Sequence, residues 1–302
     1  MDNTVILSGT ASNGIAEGLS KFLKLPLIKV ENKILPDGES YVRIPKNLSG
    51  KNIVLVQSTY PPQDKHIIEL FLLLDAVKSF SPETIILVIP YLAYARQNQR
   101  FNEGEPVSIE AILRIIGTMG VESLVTVEPH RAESFEAFEG KTLIIDPIPT
   151  LAHSLSKEAK KPVVLAPDHG AIQRAEELAV ILKTDYTYLN KERNRKSGEV
   201  TLKKGNKYDF GGRNVIIVDD IISTGGTILN AAKFARKNNA GKISVMAAHL
   251  IMAGGCYGKL KKAGIRDIIG SNTIPNSHAK IVDLSKVIGE GVFSVLEAKG
   301  TF

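Results

Sequence analysis

Short apolar runs alternate along this 302-residue chain with longer stretches whose apolar positions recur every three to four residues. The runs are Val5 to Leu7, Ile53 to Val56, Ile85 to Ile89, Leu124 to Val127, Val163 to Leu165, Val215 to Val218 and Ile243 to Ala247, set off by Gly, Pro, Asn or Asp. Successive side chains of a strand face opposite ways, so an unbroken apolar run needs cover on both faces. That predicts an α/β fold of mainly parallel sheets flanked by helices. In one intervening segment Ile109, Ile112, Leu113 and Ile116 fall at i, i+3, i+4 and i+7 behind Ser108, a candidate N-cap. A second helix is predicted from about 63 to 80. Its apolar residues wrap most of its circumference, as expected in a core or at a subunit contact.

The pattern repeats. Lys51-Asn52-Ile53-Val54-Leu55-Val56 returns in kind 162 positions later as Arg213-Asn214-Val215-Ile216-Ile217-Val218, and Ala16-Glu17-Gly18-Leu19 returns 159 positions later as Ala175-Glu176-Glu177-Leu178. Colinear matches at similar offsets indicate a duplicated α/β unit. The seam is expected near Asp146 to Thr150, where Pro147 and Pro149 interrupt the pattern, giving domains 1–147 and 148–302, with the last helix a candidate to pack back on the first domain.

Hydrophobic residues at 43% and charged residues at 23% suit a globular chain and exclude wholesale disorder. A net charge of +6 points to anionic partners, and with no Trp and 6% aromatics small phosphates fit better than a base-stacking nucleic-acid platform. The single cysteine, Cys256, cannot form an intrachain disulfide, and no Cys/His cluster suits zinc, so a reducing cytoplasm is expected. The longest apolar stretch, Thr84 to Ala95, contains Pro90 and is too short for a membrane span. The N-terminus lacks the pattern of a signal peptide.

The richest local signal runs from Val215 to Ile228. A buried strand delivers Asp219 and Asp220, and Ser223-Thr224-Gly225-Gly226-Thr227 then turns into a helix. Glycines let backbone N–H groups approach an anion, hydroxyls add donors, and the helix N-terminus favours negative charge. The two carboxylates would repel a phosphate, so they accept from sugar hydroxyls or hold a metal, and together the elements describe a sugar-phosphate site. The plainer reading of the Gly/Thr string alone is a capped strand-to-helix turn. Neither a Walker A sequence nor GxGxxG occurs.

This segment resembles the phosphoribosyl-diphosphate motif of type I phosphoribosyltransferases and ribose-phosphate pyrophosphokinases. The tandem organisation resembles the second family, which carries two phosphoribosyltransferase-like domains with the ribose site only in the second. At the matching place in the first half, Gln57-Ser58-Thr59-Tyr60-Pro61-Pro62 lacks both the acidic pair and the glycines.

The resemblance implies transfer of the β,γ-diphosphoryl group of ATP to the anomeric hydroxyl of ribose 5-phosphate, with Mg2+ as cofactor, in a homo-oligomer built from dimers that needs neither nucleic acid nor membrane. It places Asp168, Asp219, Asp220, Ser223, Thr224, Gly225, Gly226 and Thr227 on ribose 5-phosphate. Arg96, Gln97, Arg100 and His130 fall on the ATP phosphates, Leu35, Asp37 and Glu39 on the nucleotide, and Glu128, His130 and Asp168 near the metal. Lys191 and Arg193 match a Lys-x-Arg pair on a closing catalytic loop. Three positions depart from the family pattern: Leu35 stands for Phe, Asn98 for Asp and Glu128 for Asp.

Each element has a plainer alternative. Tyr94 to Arg100 reads as a solvated helix start, His130 as a structural histidine, Asp168 as an N-cap, Pro36-Asp37-Gly38 as a simple turn, and the stretch from Lys191 to Gly198 as an exposed loop. The rival functions are a phosphoribosyltransferase and a non-catalytic paralogue that binds ribose phosphate or nucleotide as a signal.

Overall fold

The computed structural model describes residues 3–155, 161–189, 191–193, 200–202 and 208–298, with backbone alone for 191–193 and 200–202. In chain order the elements of the first half are β1 (Thr4–Ser8), α1 (Ile15–Leu23), β2 (Leu27–Lys29), β3 (Glu31–Ile34), β4 (Ser40–Arg43), β5 (Asn52–Val56), α2 (Gln63–Lys78), β6 (Thr84–Ile89), α3 (Ser108–Thr118), β7 (Ser123–Val127) and β8 (Lys141–Ile145). Then come α4 (Ile148–His153), β9 (Val163–Ala166), α5 (Ile172–Leu182), β10 (Tyr186–Tyr188), β11 (Lys191–Arg193), β12 (Val200–Leu202), β13 (Val215–Ile222) and α6 (Gly226–Lys237). The last elements are β14 (Ile243–Leu250), α7 (Cys256–Lys262), β15 (Ile265–Ser271), β16 (Lys280–Val282) and α8 (Ser285–Glu297).

Two compact units result. One comprises Met1–Asp146 with Asn272–Ile274 and Asp283–Phe302, the other Pro147–Ser271 with Pro275–Val282. The first holds a sheet ordered β2-β1-β5-β6-β7-β8 and the second a sheet ordered β10-β9-β13-β14-β15-β16, so the second order is the first with eight added to every label. All pairings within both sheets are parallel. Each unit also carries a two-stranded antiparallel hairpin, β3–β4 or β11–β12.

The sequence repeat has a physical basis at the start of the central strand. Asn52 Oδ1 accepts from Thr84 Oγ1 at 3.0 Å, and Asn214 Oδ1 accepts from the Lys242 backbone N–H at 3.1 Å, so each Asn ties its strand to the next one. The backbone around them matches too: Lys51 N donates to Leu48 O and Arg213 N to Phe210 O.

The predicted strands are buried on both faces, as β1, β5 and β7 show by being buried at every position. Each fully buried Ile or Leu there contributes about 1.5–3 kcal/mol. Helix α2 buries Ile67, Leu70, Leu74 and Val77 but leaves Ile68 53% and Leu72 40% exposed. The apolar circumference therefore divides between core and surface. Ser108 does not cap α3. Val107 holds the cap position, and the Ser108 hydroxyl instead donates to Gln97 Oε1 at 2.6 Å.

Helix α8 belongs to the first unit and packs on α1, where a β-carbon on Gly18 would lie 2.2 Å from Ser285 Oγ. No helix among the described residues is long and apolar enough to cross a membrane.

Candidate functional site

In the second unit β13 runs two residues past the acidic pair, to Ile222, before the turn. Val215 to Val218 are buried, which anchors the strand and carries Asp219 and Asp220 to its carboxyl-terminal half, where open α/β sheets bind ligands. The Asp220 backbone N–H donates to Asp219 Oδ1 at 3.0 Å and that of Ile221 to Asp220 Oδ1 at 2.9 Å, so the backbone orients both carboxylates. Burial pushes the Asp219 carboxyl well above the usual carboxylate range, and the charges of Asp220 and then Asp168 push it the same way. Asp168, two residues past the end of β9, thus forms one electrostatic cluster with the β13 carboxylates.

Asp168 holds the N-cap position of a 3-10 turn, His169–Ala171, where its side chain makes no capping hydrogen bond.

Gly225 adopts φ +82°, and a β-carbon on it would lie 2.7 Å from Cys256 Sγ. Only glycine fits there, on conformational and steric grounds alike. From Gly226 the twelve-residue helix α6 begins, with no side chain capping its N-terminus. A β-carbon on Gly226 would meet nothing within 4 Å. Thr224 and Gly226 are exposed, Ser223 and Thr227 half-buried. The result is a bare helix N-terminus with hydroxyls at its rim, backed by buried Cys256, which suits a phosphate.

The matching loop of the first unit is built the opposite way. Gln57, Ser58 and Thr59 are completely buried. Gln57 Oε1 accepts from the Ala11 N–H at 3.0 Å, and Ser58 Oγ donates to Thr273 O at 3.1 Å. Thr59 Oγ1 donates to Tyr91 O at 3.0 Å and accepts from the Ala93 N–H at 2.7 Å. Every one of these polar groups is consumed internally.

The remaining candidates of the first unit lie after its strands. Following β6, Arg96, Gln97 and Arg100 are exposed on an irregular turn, so the helix-start alternative for this segment is corrected: the first helix after it begins only at Ser108. Tyr94 has φ 64° and its hydroxyl donates to Asp64 Oδ1 at 2.5 Å. Gln97 is held by Ser108, and Arg100 Nε donates to Glu105 O at 2.9 Å. Glu105 in turn accepts from Asn102 Nδ2 at Oε1 and from the Phe101 and Asn102 N–H groups at Oε2, and these hydrogen bonds, the Asn102 amide first, hold its carboxyl below the usual range. Asn98 Nδ2 is buried without a hydrogen-bond partner.

Glu128 follows β7 with φ 34° and is buried, whereas His130 is exposed. A non-glycine residue at positive φ after a strand is the kind of strain found at ligand sites. Leu35, Asp37 and Glu39 form the tip joining β3 and β4, a turn closed by Gly38 N donating to Leu35 O at 2.9 Å, with Gly38 at φ 95°. Leu35 is half-buried there, and Asp37 and Glu39 are exposed.

Lys191 and Arg193 lie on β11, whose backbone pairs with Val200 to Leu202 of β12. Their side chains, and residues 194–198 of the charge-dense stretch, lie outside the described part.

Sequence reading missed the supports of these groups: Cys256 behind Gly225, Ser108 on Gln97, Glu105 under the 100–102 turn, and Glu69, described below. Only Gly104-Glu105-Pro106 carried a local signal, that of a turn.

Comparison with known proteins identifies the family. Residues 4–120 match the N-terminal domain of ribose phosphate pyrophosphokinase, and residues 134–280 match the phosphoribosyl transferase domain. A ribose-phosphate pyrophosphokinase of Sulfurisphaera tokodaii is 46% identical over 95% of this chain and 100% of its own length. One from Pyrococcus furiosus is 40% identical over 88% of this chain and 93% of its own. The crystal structure of phosphoribosylpyrophosphate synthetase from Mycobacterium smegmatis shares the fold, with TM-score 0.87 at 24% identity over 98% of this chain and 99% of that one.

Proposed function

This chain belongs to the ribose-phosphate pyrophosphokinase family, and from that premise we propose how its residues carry out diphosphoryl transfer from ATP to ribose 5-phosphate. The anomeric oxygen of the sugar attacks the β-phosphorus of ATP, the bond from that phosphorus to the α,β-bridging oxygen breaks, and AMP leaves. The hydroxyl proton is released and 5-phosphoribosyl 1-diphosphate forms. Positioning and neutralisation of charge supply most of the rate in such transfers.

The turn Ser223 to Thr227 takes the 5-phosphate on the α6 N-terminus, and Asp219 and Asp220 accept from the ribose hydroxyls. Arg96 and Arg100, with Gln97 and His130, hold the polyphosphate, while Leu35, Asp37 and Glu39 meet the nucleotide. Lys191 and Arg193 bring cationic donors to the transferring group.

The donor set fits Mg2+, a hard cation that prefers oxygen. In the second unit Asp168, clustered with Asp219, would hold such an ion, and in the first unit Glu128 is the candidate oxygen ligand, leaving His130 to hydrogen-bond phosphate. When bound, the ion neutralises polyphosphate charge. We further assign the protein to the reducing cytoplasm, consistent with its lone cysteine, and to a homo-oligomer built from dimers, for which Ile34 (50% exposed) and Tyr41 (39%) on the β3–β4 hairpin offer apolar surface.

One observation carries this reading: the anion cradle that follows β13 and its paired acids, where the first unit has at the same topological place, after β5, an internally satisfied loop. The test is AMP formation from ATP in the presence of Mg2+. AMP appearing only when ribose 5-phosphate is added supports diphosphoryl transfer. Folded protein that binds ribose 5-phosphate yet releases no AMP would make it a regulatory binder instead.

A further inference from the structure

Helix α2 buries a carboxylate that the reaction above does not use. The Glu69 side chain is 1% exposed, although it stands on a helix whose neighbouring buried positions are Leu70, Leu73 and Leu74. A charged group is retained in such a place only with good partners, and an apolar residue there would pack at lower cost. Its partners come from segments far apart in sequence. Glu69 Oε2 accepts from Thr10 Oγ1 at 2.6 Å, and Oε1 accepts from Ser40 Oγ at 3.0 Å. The half-exposed Lys65 approaches Oε1 at 3.6 Å.

In both of these bonds the hydroxyl donates and the carboxyl oxygen accepts. Thr10, its proton committed to Glu69, accepts from Gln57 Nε2 at 3.0 Å, and Gln57 Oε1 is held by the Ala11 N–H. Gly9 lets Gln57 come this close, since a β-carbon there would lie 2.3 Å from Gln57 Oε1. Hydrogen-bond donation thus converges on Glu69 from two sides, from the β5 loop through the β1 loop and from Ser40.

Ser40 is the far anchor. It pairs with Ile34 in the last rung of the β3–β4 ladder, directly beneath the tip Leu35 to Glu39. All of β3 is exposed, and only Ser40 and Val42 of β4 are partly buried, so the hairpin has little packing to hold its tip in place. Charge-assisted hydrogen bonds to a buried acceptor are the stronger kind and fix orientation as well as distance.

We propose that Glu69 is a positioning residue for ATP: by gripping Ser40 it holds the Leu35–Glu39 tip in the orientation that meets the nucleotide. This rests on the tip contacting ATP, as put forward above.

The test measures steady-state AMP formation by the full-length protein with Mg2+, varying ATP and ribose 5-phosphate separately. Ser40→Ala should raise the KM for ATP about three- to ten-fold while kcat and the KM for ribose 5-phosphate stay within about two-fold. Glu69→Leu should do the same or more. Glu69→Gln, whose carbonyl still accepts from one hydroxyl while its amide donates to the other, should recover much of the loss. Leu35→Ala, read in parallel, tests the underlying assumption. If it raises the KM for ATP and folded Ser40→Ala does not, the role of Glu69 is overturned while the nucleotide role of the tip stands. If neither variant changes it, the tip does not meet ATP and the proposal falls with it.

Discussion

The sulfur of Cys256 stands directly behind Gly225, at 2.7 Å from where a β-carbon on that glycine would lie. The thiol is buried, and burial pushes its pKa up, so it serves as a neutral apolar wall for the anion cradle. Gly225→Ala therefore meets both a forbidden dihedral and a steric wall. We expect the KM for ribose 5-phosphate to rise at least about ten-fold, since the left-handed conformation alone costs roughly 1–2 kcal/mol. Cys256→Ala in the same background should return part of the loss by opening space behind the turn, and isothermal titration with ribose 5-phosphate would check both.

Asp219 gives a pH dependence with a definite sign. Its folded-state pKa is raised above the unfolded value, so the fold binds that proton more tightly than the unfolded chain does. Its contribution to stability is complete below the unfolded pKa and is lost as pH rises through the folded one. At neutral or alkaline pH Asp219→Asn should raise Tm, by about 2–4 °C per kcal/mol of relieved strain, and the gain should vanish in acid. The same variant should bind ribose 5-phosphate more weakly, because a hydroxyl acceptor has become an amide. Scanning calorimetry at two pH values, with the binding titration, distinguishes stabilisation from function.

Replacing Lys191 and Arg193 together by Ala should lower kcat on the order of 10³-fold, the scale of lost transition-state donors, and leave Tm unchanged. A rise in the KM for ribose 5-phosphate without a fall in kcat would remove the pair from the catalytic role.

Gly18 and Ser285 set the closeness of α1 and α8. Gly18→Ala drives a β-carbon against both Oγ and Cβ of Ser285, within 2.2–2.3 Å, and should destabilise by about 1–3 kcal/mol. In a Ser285→Gly background the cost should largely disappear. A double-mutant cycle from denaturant melts measures that coupling.

Much of the fold was legible in the sequence because the central strands must be apolar on both faces. Val215 to Val218 and Ile53 to Val56 could only be buried strands. The edge strands and β15 escaped for the opposite reason. Strand β15 carries Arg266 and Asp267 where its register with β14 shifts by a residue, between the pairs Ile243–Ile265 and Val245–Ile268, so its apolar run is broken. Strand β8 is mostly exposed and β16 has only three residues.

The anion cradle was legible because its chemistry is local: acids, hydroxyls and glycines within nine residues, Asp219 to Thr227. Glu69 was not, because its partners lie at positions 10 and 40 and nothing nearby distinguishes it from a solvated helix glutamate. Ser108 misled for a related reason, since a hydroxyl before a helix looks like a cap until Gln97 is placed beside it.

The two sheets share one strand order, so every loop in one half has an address in the other. At the address of the sugar-phosphate loop, the first half carries Gln57, Ser58 and Thr59 with their side chains turned inward on neighbouring backbone. One copy spends its polar atoms on holding itself together and the other leaves them facing outward. Selection on the first copy then acts through folding, and selection on the second through chemistry. Random substitution across 57–59 should be sorted by protein yield, and across 223–227 by turnover.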